Sequence, residues 1–199
     1  MAQLQDLIIA FGYIGIFTAI FAESGFLLGF FLPGDSLLFT LGLLASQGHF
    51  DIKILITLCL AAAILGDSFG YYVGKKIGPK IFSKNESFFF RKKNIERTEE
   101  FFKKYGKKTI ILARFVPIVR TFAPILAGVG NMEYKTFFSY NVIGGTVWSV
   151  GFLSMAYFLG KLFPGIERYL SIIIVLIIFV SALPIIINFI KAYLKERKN

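Results

Sequence analysis

Long apolar runs alternate with short polar breaks along this chain, and the longest runs predict membrane-crossing helices. Crossing the hydrocarbon core of a bilayer takes about 18 or more consecutive apolar residues. The runs that approach or exceed this length are residues 4–22, 52–74, 134–160 and 168–190. We therefore predict about four full transmembrane helices, the first of which either crosses the membrane or lies at its interface.

Two further apolar stretches are interrupted by proline and glycine. The stretch 24–46 contains a Pro-Gly-Asp turn, and the stretch 108–130 contains two prolines. Proline removes a backbone donor, and broken backbone inside a bilayer is tolerated only where it is buried in protein or lines a wet cavity. Each stretch therefore predicts a re-entrant hairpin. The residues that we expect to shape the hairpins are Pro33, Gly34, Pro117, Pro124 and Gly128.

The two hairpins suggest an inverted repeat, the architecture with which secondary transporters build a site near the membrane midplane. We expect the first hairpin to enter from the outer face and the second from the cytoplasmic face. A shift of 91 residues aligns Pro33 with Pro124 and places Glu23 opposite Arg114. The predicted fold class is an all-α integral membrane protein with two inverted repeats, each containing a proline-broken re-entrant hairpin.

The charge distribution divides the single predicted domain, residues 1–199, into four parts. The net charge is +10, and twelve of the 22 basic residues lie between Lys75 and Lys108, beside four glutamates. By the positive-inside rule, this segment and the basic C-terminal tail are cytoplasmic. The parts are repeat one at about 4–74, a basic segment at 75–107, repeat two at about 108–190 and a basic tail at 191–199.

The basic segment also predicts contact with the membrane surface. Residues 84–106 mix phenylalanines with basic residues, which is typical of an amphipathic helix on the cytoplasmic face. There, each basic side chain gains about 1 kcal/mol from anionic lipids. A nucleic-acid partner is not expected, because the chain is 56% hydrophobic with a mean hydropathy of +0.69. We predict a multi-pass protein of the inner or plasma membrane.

Residues for metal or redox chemistry are scarce. His49 is the only histidine and lies in a polar connection, and Cys59 is the only cysteine and lies in an apolar run. A surface histidine and a small buried apolar side chain are the favoured interpretations. We predict no metal site and no cofactor.

The run 52–74 carries small residues at four-residue spacing, a pattern that lets another helix approach closely. An acid, Asp67, lies beside this ridge. It is either an acid involved in helix packing or part of a cavity, and the sequence leaves both interpretations open. The small residues are Ala62, Gly66, Gly70 and Gly74.

Four ionisable residues, Glu23, Asp35, Arg114 and Arg120, lie in the interrupted apolar regions. An arginine at membrane depth costs at least about 2.5–3.5 kcal/mol on insertion scales, so two of them need compensation. One interpretation is a set of ion pairs that hold the hairpins together. The favoured interpretation is a polar cavity that faces an anionic ligand, because intramembrane ionisable groups usually mark functional sites.

At these residues the sequence resembles the DedA family, also called the VTT or SNARE-associated membrane proteins. The resemblance covers residues from about 10 to 190 and is most specific in the pattern R-[FY]-x-P-x-x-R-x-x-x-P-x-x-A-G, which begins at Arg114. One departure is Ala113, where many members carry glycine. Further matches to the family are Glu23, the turn 33–35 and the segment 66–74.

The resemblance implies transbilayer lipid transport, most prominently the return of undecaprenyl phosphate from the outer to the cytoplasmic leaflet, and proton coupling has been proposed for the family. It implies that Arg114 and Arg120 bind lipid phosphate, and that Glu23 and Asp35 couple protons or form ion pairs. Arginine suits phosphate because its planar fork makes two-point contacts. Asp67 is a possible cavity residue.

Other activities remain as alternatives. A flippase or scramblase for phosphatidylethanolamine or phospholipids in general is one, and a proton-driven transporter of small ions or drugs belongs to another class. An enzyme acting on lipid phosphates is not expected, because His49 is the only histidine and no metal-binding acid cluster or nucleophile motif is present.

Overall fold

The computed structural model describes residues 2–26, 34–82, 106, 108–114, 117–163 and 165, and this part of the chain is helical without any strand. The all-helical prediction is confirmed for these residues. The predicted surface helix up to residue 105, the span 168–190 and Pro33 lie outside them. The helices are α1 (Ala2–Gly25), α2 (Gly34–Ser46), α3 (Ile52–Phe82), α4 (Thr109–Ala113), α5 (Pro117–Val129) and α6 (Tyr134–Leu162).

Two of these helices are long and apolar enough to cross a membrane. The segment Ile52–Lys76 of α3 has a mean hydropathy of 1.9, and α6 has a mean hydropathy of 1.6. The segments Gly34–Ser46 and Val119–Val129 are shorter apolar helices. The predicted runs 52–74 and 134–160 therefore fall within α3 and α6, although α3 continues to Phe82.

The break in the second proline-containing stretch coincides with one of its two prolines, Pro117. It falls between Ala113, the last residue of α4, and Pro117, the first residue of α5. The first helical position suits proline, because its missing N–H would have no partner in the helix. Pro124 lies inside α5, which continues to Val129, so the prediction that Pro124 breaks the helix is wrong. Helices in membranes tolerate an internal proline where neighbouring groups compensate for the lost hydrogen bond.

A polar turn joins α2 to α3 and fixes where α3 begins. Gly48 has a φ of 88°, a conformation that favours glycine. The Asp51 carboxylate then accepts hydrogen bonds from the backbone N–H groups of Lys53, at 2.7 Å, and Ile54, at 3.2 Å. This is the N-capping arrangement that satisfies free donors in the first turn of a helix. The Tyr13 hydroxyl accepts a hydrogen bond of 3.0 Å from the Asp51 N–H and so ties the turn to α1.

The small-residue ridge on α3 packs directly against two other helices, which confirms its predicted role. At Gly66, an added Cβ would lie 2.7 Å from the backbone oxygen of Phe21 on α1. At Gly74, an added Cβ would overlap the backbone oxygen of Ile125 on α5. Helix α3 therefore holds both α1 and α5 at backbone contact distance.

Helices α2 and α6 form a second closely packed pair. An added Cβ at Gly42 of α2 would lie 2.6 Å from the backbone oxygen of Leu153 on α6 and 2.7 Å from the Ala156 Cβ. The charged residues predicted from the sequence are thus distributed over two packed groups, with Glu23 on the α1–α3–α5 side and Asp35 on the α2–α6 side.

Alanine in place of Gly128 is expected to destabilise the protein by about 1–3 kcal/mol, because an overpacked contact forces backbone shifts. The added Cβ would overlap the backbone oxygen of Tyr71 and lie 2.7 Å from the Lys75 backbone nitrogen. Thermal unfolding of the purified protein in detergent measures the effect. Gly151→Ala is the matched control, because an added Cβ there meets nothing within 4 Å. Equal unfolding temperatures for the two variants would contradict the close α3–α5 contact.

A polar layer lies between two apolar clusters along α3 and α6. On α3, the larger cluster ends at Ala63 and the smaller cluster contains Tyr71, with Asp67 between them. On α6, Phe137 belongs to the smaller cluster and Trp148 to the larger, with Asn141 between them. Buried charges at this level are therefore separated from the ends of both helices by apolar packing.

Candidate functional site

Arg120 forms ion pairs with two carboxylates from two other helices. It lies in the first turn of α5, while Glu23 lies near the end of α1 and Asp35 lies in the first turn of α2. Its Nη1 donates to Asp35 Oδ1 at 2.7 Å, and its Nη2 contacts Glu23 Oε1. Glu23 is buried, with 2% of its surface exposed. One guanidinium therefore joins α1, α2 and α5.

Each of these two carboxylates accepts a second hydrogen bond. Trp148 Nε1 on α6 donates to Asp35 Oδ1 at 2.8 Å, and the Gly34 backbone N–H donates to Glu23 Oε1 at 3.2 Å. An added Cβ at Gly34 would overlap the Glu23 carboxylate, so glycine is required at this position for close approach. Asp35 Oδ1 and Glu23 Oε1 are thus each placed where two donors converge.

The second arginine has a separate set of partners. Arg114, which directly follows α4, donates through Nη2 to Asp67 Oδ2 on α3 and to Asn141 Oδ1 on α6. Asn141 is fully buried, and its Nδ2 donates to the Ile64 backbone oxygen at 3.2 Å. This network joins α3 and α6 to Arg114, which lies between α4 and α5.

The indole ring of Trp148 lies close to both guanidinium groups. The Cζ atoms of Arg120 and Arg114 are 4.7 Å and 6.0 Å from the ring, within the range of cation–π attraction. A small cavity opens between these groups, with room for about one water molecule. Its lining residues are Ser24, Asp67, Arg114, Arg120 and Trp148.

The cluster contains more acidic than basic groups. Three carboxylates, from Glu23, Asp35 and Asp67, pair with the two guanidiniums of Arg114 and Arg120. In the part of the chain that the structure describes, Glu23 Oε2 and Arg114 Nε are buried without a hydrogen-bond partner. Buried polar atoms are normally paired, so these two atoms are positions where a proton or a ligand atom would be favourable.

The residues singled out from the sequence come together here, but they do not pair as two separate acid–arginine couples. Arg120 contacts both Glu23 and Asp35, whereas Arg114 contacts Asp67. Trp148 and Asn141 were not among the residues predicted from the sequence. One signal for them was present: the only tryptophan and an amide lie seven residues apart in an apolar run, a spacing that places both on one helix face.

Leucine in place of Asn141 is expected to lower stability by about 1–3 kcal/mol, because it removes one acceptor from the buried Arg114 and a second donor from the Ile64 oxygen. The matched control is Ser139→Ala, a polar deletion at an exposed position of the same helix. Thermal unfolding in detergent compares the two variants. An Asn141→Leu protein as stable as the Ser139→Ala protein would show that the buried amide does not support Arg114.

Comparison with known proteins shows which family this chain belongs to. The VTT domain model matches residues 32–158, more than half of the chain and most of the site. The chain belongs to the DedA, or VTT domain, family. This confirms the family resemblance found in the sequence.

Relatives within the family cover nearly the whole chain. The chain is similar to protein DedA of Escherichia coli, with 45% identity over 95% of this chain and 88% of the relative. An uncharacterized membrane protein of Mycobacterium tuberculosis is 43% identical over 93% of this chain and 81% of its own length. Undecaprenyl phosphate transporter A of Staphylococcus aureus is 28% identical over 98% of this chain and 97% of its own length. No solved structure matches the chain.

Family membership and the apolar helices identify a membrane protein. The DedA relatives compared above are named as membrane proteins or transporters, and none of them is named as an enzyme. In the described part of the chain, no group of three or more His, Cys, Asp or Glu side chains is placed to hold a metal ion. The candidate site is the ion-paired cluster, because it combines charges in an apolar interior with a small cavity.

Proposed function

We propose that this protein moves lipid phosphates across the inner membrane, and that its principal substrate is undecaprenyl phosphate, carried from the outer to the cytoplasmic leaflet. The observation that carries the proposal is a pair of arginines, Arg114 buried and Arg120 mostly so, whose guanidinium groups lie beside one indole ring and one small cavity. Arginine is the side chain best suited to two-point recognition of phosphate. The relative named undecaprenyl phosphate transporter A supports this substrate.

In the proposed mechanism, the carboxylates of Glu23 and Asp35 occupy the phosphate-binding position on Arg120 when no lipid is bound. Both carboxylates contact Arg120, and the cavity beside them has room for about one water molecule. A lipid phosphate must therefore displace a carboxylate in order to reach the guanidinium. Phosphate oxygens can replace carboxylate oxygens because both are anionic acceptors of similar hydrogen-bond geometry.

Proton coupling follows from this exchange. Three carboxylates share two guanidiniums, and an unpaired charge in a poorly solvated interior is costly. A carboxylate that loses Arg120 to a phosphate is therefore expected to take up a proton, for which Glu23 Oε2 is available. A higher proton concentration outside then favours lipid loading on the outer side.

The proposed membrane arrangement keeps the inverted repeat. The stretch 24–46, which contains α2, would form one re-entrant hairpin, and the stretch 108–130, which contains α4 and α5, the other, within a protein of about four full spans. The ion pairs that join Arg120 on the second hairpin to Asp35 on the first, and to Glu23 directly before it, support this arrangement. The basic segment 75–107 and the C-terminal tail would lie on the cytoplasmic side, where anionic lipids attract basic residues.

A leaflet-exchange assay tests the function. Purified protein is placed in vesicles that contain either a fluorescent polyprenyl phosphate or a fluorescent phosphatidylethanolamine, and a membrane-impermeant quencher reports the outer leaflet. Faster exchange of the polyprenyl phosphate than in protein-free vesicles is expected. Preferential exchange of phosphatidylethanolamine would favour a general phospholipid flippase. Ion flux without lipid exchange would favour a small-ion or drug transporter, and release of free phosphate would identify an enzyme.

A further inference from the structure

Trp148 donates to the same oxygen atom as the candidate phosphate-binding arginine. Trp148 Nε1 and Arg120 Nη1 lie 2.8 Å and 2.7 Å from Asp35 Oδ1. The two donors therefore converge on a single anionic oxygen. When that oxygen leaves, both donors are left facing the same point in space, and an unpaired buried donor is costly.

The ring of Trp148 also lines the cavity and lies beside both guanidiniums. Only 1% of its surface is exposed, and its position is held by the apolar cluster that contains Ala63 and Leu153. A tryptophan held by packing keeps its N–H in place while a carboxylate on a different helix moves. Asp35 lies on α2 and Trp148 lies on α6, so no shared helix fixes the distance between the two groups.

We propose that Trp148 is a phosphate-binding residue, whose indole N–H passes from Asp35 to a phosphate oxygen when the lipid displaces that carboxylate. This inference rests on the proposed lipid phosphate function and extends it to a third donor. Indole N–H is a donor without acceptor capacity, so it favours an anionic oxygen and does not compete for a proton. The ring would at the same time hold the guanidiniums in their orientation by cation–π attraction.

A different role for Trp148, as an anchor for Asp35 only, has an opposite consequence. If the indole N–H merely held Asp35 against Arg120, its removal would release the competing carboxylate and strengthen phosphate binding. If the N–H binds phosphate, its removal weakens phosphate binding. Asp35→Asn removes the competing negative charge whichever role Trp148 has, so it is expected to strengthen phosphate binding. It therefore shows in which direction the affinity changes when competition from Asp35 is lost.

The test measures binding of decyl phosphate to the full chain in detergent by calorimetry, with decanol as the phosphate-free control. Trp148→Phe keeps an aromatic ring and lacks the N–H. We expect it to bind decyl phosphate about tenfold more weakly or worse, as for the loss of a hydrogen bond to a charged group. Unchanged or tighter binding by Trp148→Phe would overturn the proposal.

Fluorescence gives a second test that needs no substitution at position 148. Trp148 is the only tryptophan, so the emission of the wild-type protein reports on this ring alone. Decyl phosphate is expected to change the emission with the midpoint found by calorimetry, and decanol is not. Binding without a change in emission would overturn the role of Trp148 and leave the proposed function standing. No binding of decyl phosphate at all would contradict both.

Discussion

Lysine in place of Arg120 is expected to slow lipid phosphate exchange by about ten- to a hundredfold, the effect of losing a charge-assisted hydrogen bond. Arg120 uses two nitrogen atoms, Nη1 and Nη2, to contact oxygens of two different carboxylates. The lysine ammonium keeps the charge but is a single point that lacks this planar fork. Leaflet exchange of a fluorescent polyprenyl phosphate in vesicles measures the loss.

The control for this prediction is Lys161→Arg, a swap between the same two residue types at the exposed end of α6. It should exchange lipid at the wild-type rate. Arg120→Ala is expected to be slower still and to lose about 3–5 kcal/mol of stability, because it leaves the buried Glu23 carboxylate without its partner. A well-folded Arg120→Ala protein with full exchange would support the interpretation that these ion pairs serve only to hold the helices together.

The second large effect concerns how the rate of lipid exchange responds to a pH gradient across the membrane. Wild-type exchange should accelerate when the side from which lipid is loaded is made more acidic. Glu23→Gln and Asp35→Asn should each remove this response and retain some passive exchange. The reason is that an amide cannot take up the proton that compensates for the loss of Arg120, although it can still accept a hydrogen bond. The measurement is the ratio of exchange rates with and without an imposed gradient.

Glu133→Gln is the matched control for the gradient experiment. Glu133 is an exposed acid that precedes α6, and its carboxylate accepts a hydrogen bond of 3.2 Å from Thr136 outside the cluster. This variant should respond to the gradient as the wild-type protein does. If the wild-type protein itself ignores the gradient, the coupling mechanism fails and passive scrambling is the remaining interpretation.

Sequence reasoning located the charged site because charge inside an apolar run is costly and therefore informative. Glu23, Asp35, Arg114 and Arg120 were found in this way, and in the structure all four form ion pairs close to one cavity, which the two arginines line with Asp67. The pairing was not predictable. Sequence spacing orders residues along each helix but does not define which faces of non-neighbouring helices meet.

Trp148 was missed because most of its side chain resembles its apolar surroundings. Trp148 lies in an apolar cluster, and only its Nε1 atom takes part in the polar network. Pro124 is a case in which the sequence predicted an effect that the structure does not have. Proline is expected to break a helix, but α5 continues through this residue. In both cases tertiary packing, which local sequence does not encode, decides the outcome.

If Arg120 exchanges its own carboxylates for a lipid phosphate, binding affinity will show the exchange. Undecaprenyl phosphate is titrated into purified wild-type, Arg120→Lys and Glu23→Gln proteins in detergent. Effects of opposite sign are expected: weaker binding for Arg120→Lys, which loses the donor fork, and tighter binding for Glu23→Gln, which loses the competing anion. Weaker binding by both variants, in step with lower stability, would mean that the ion pair is structural and would contradict the exchange.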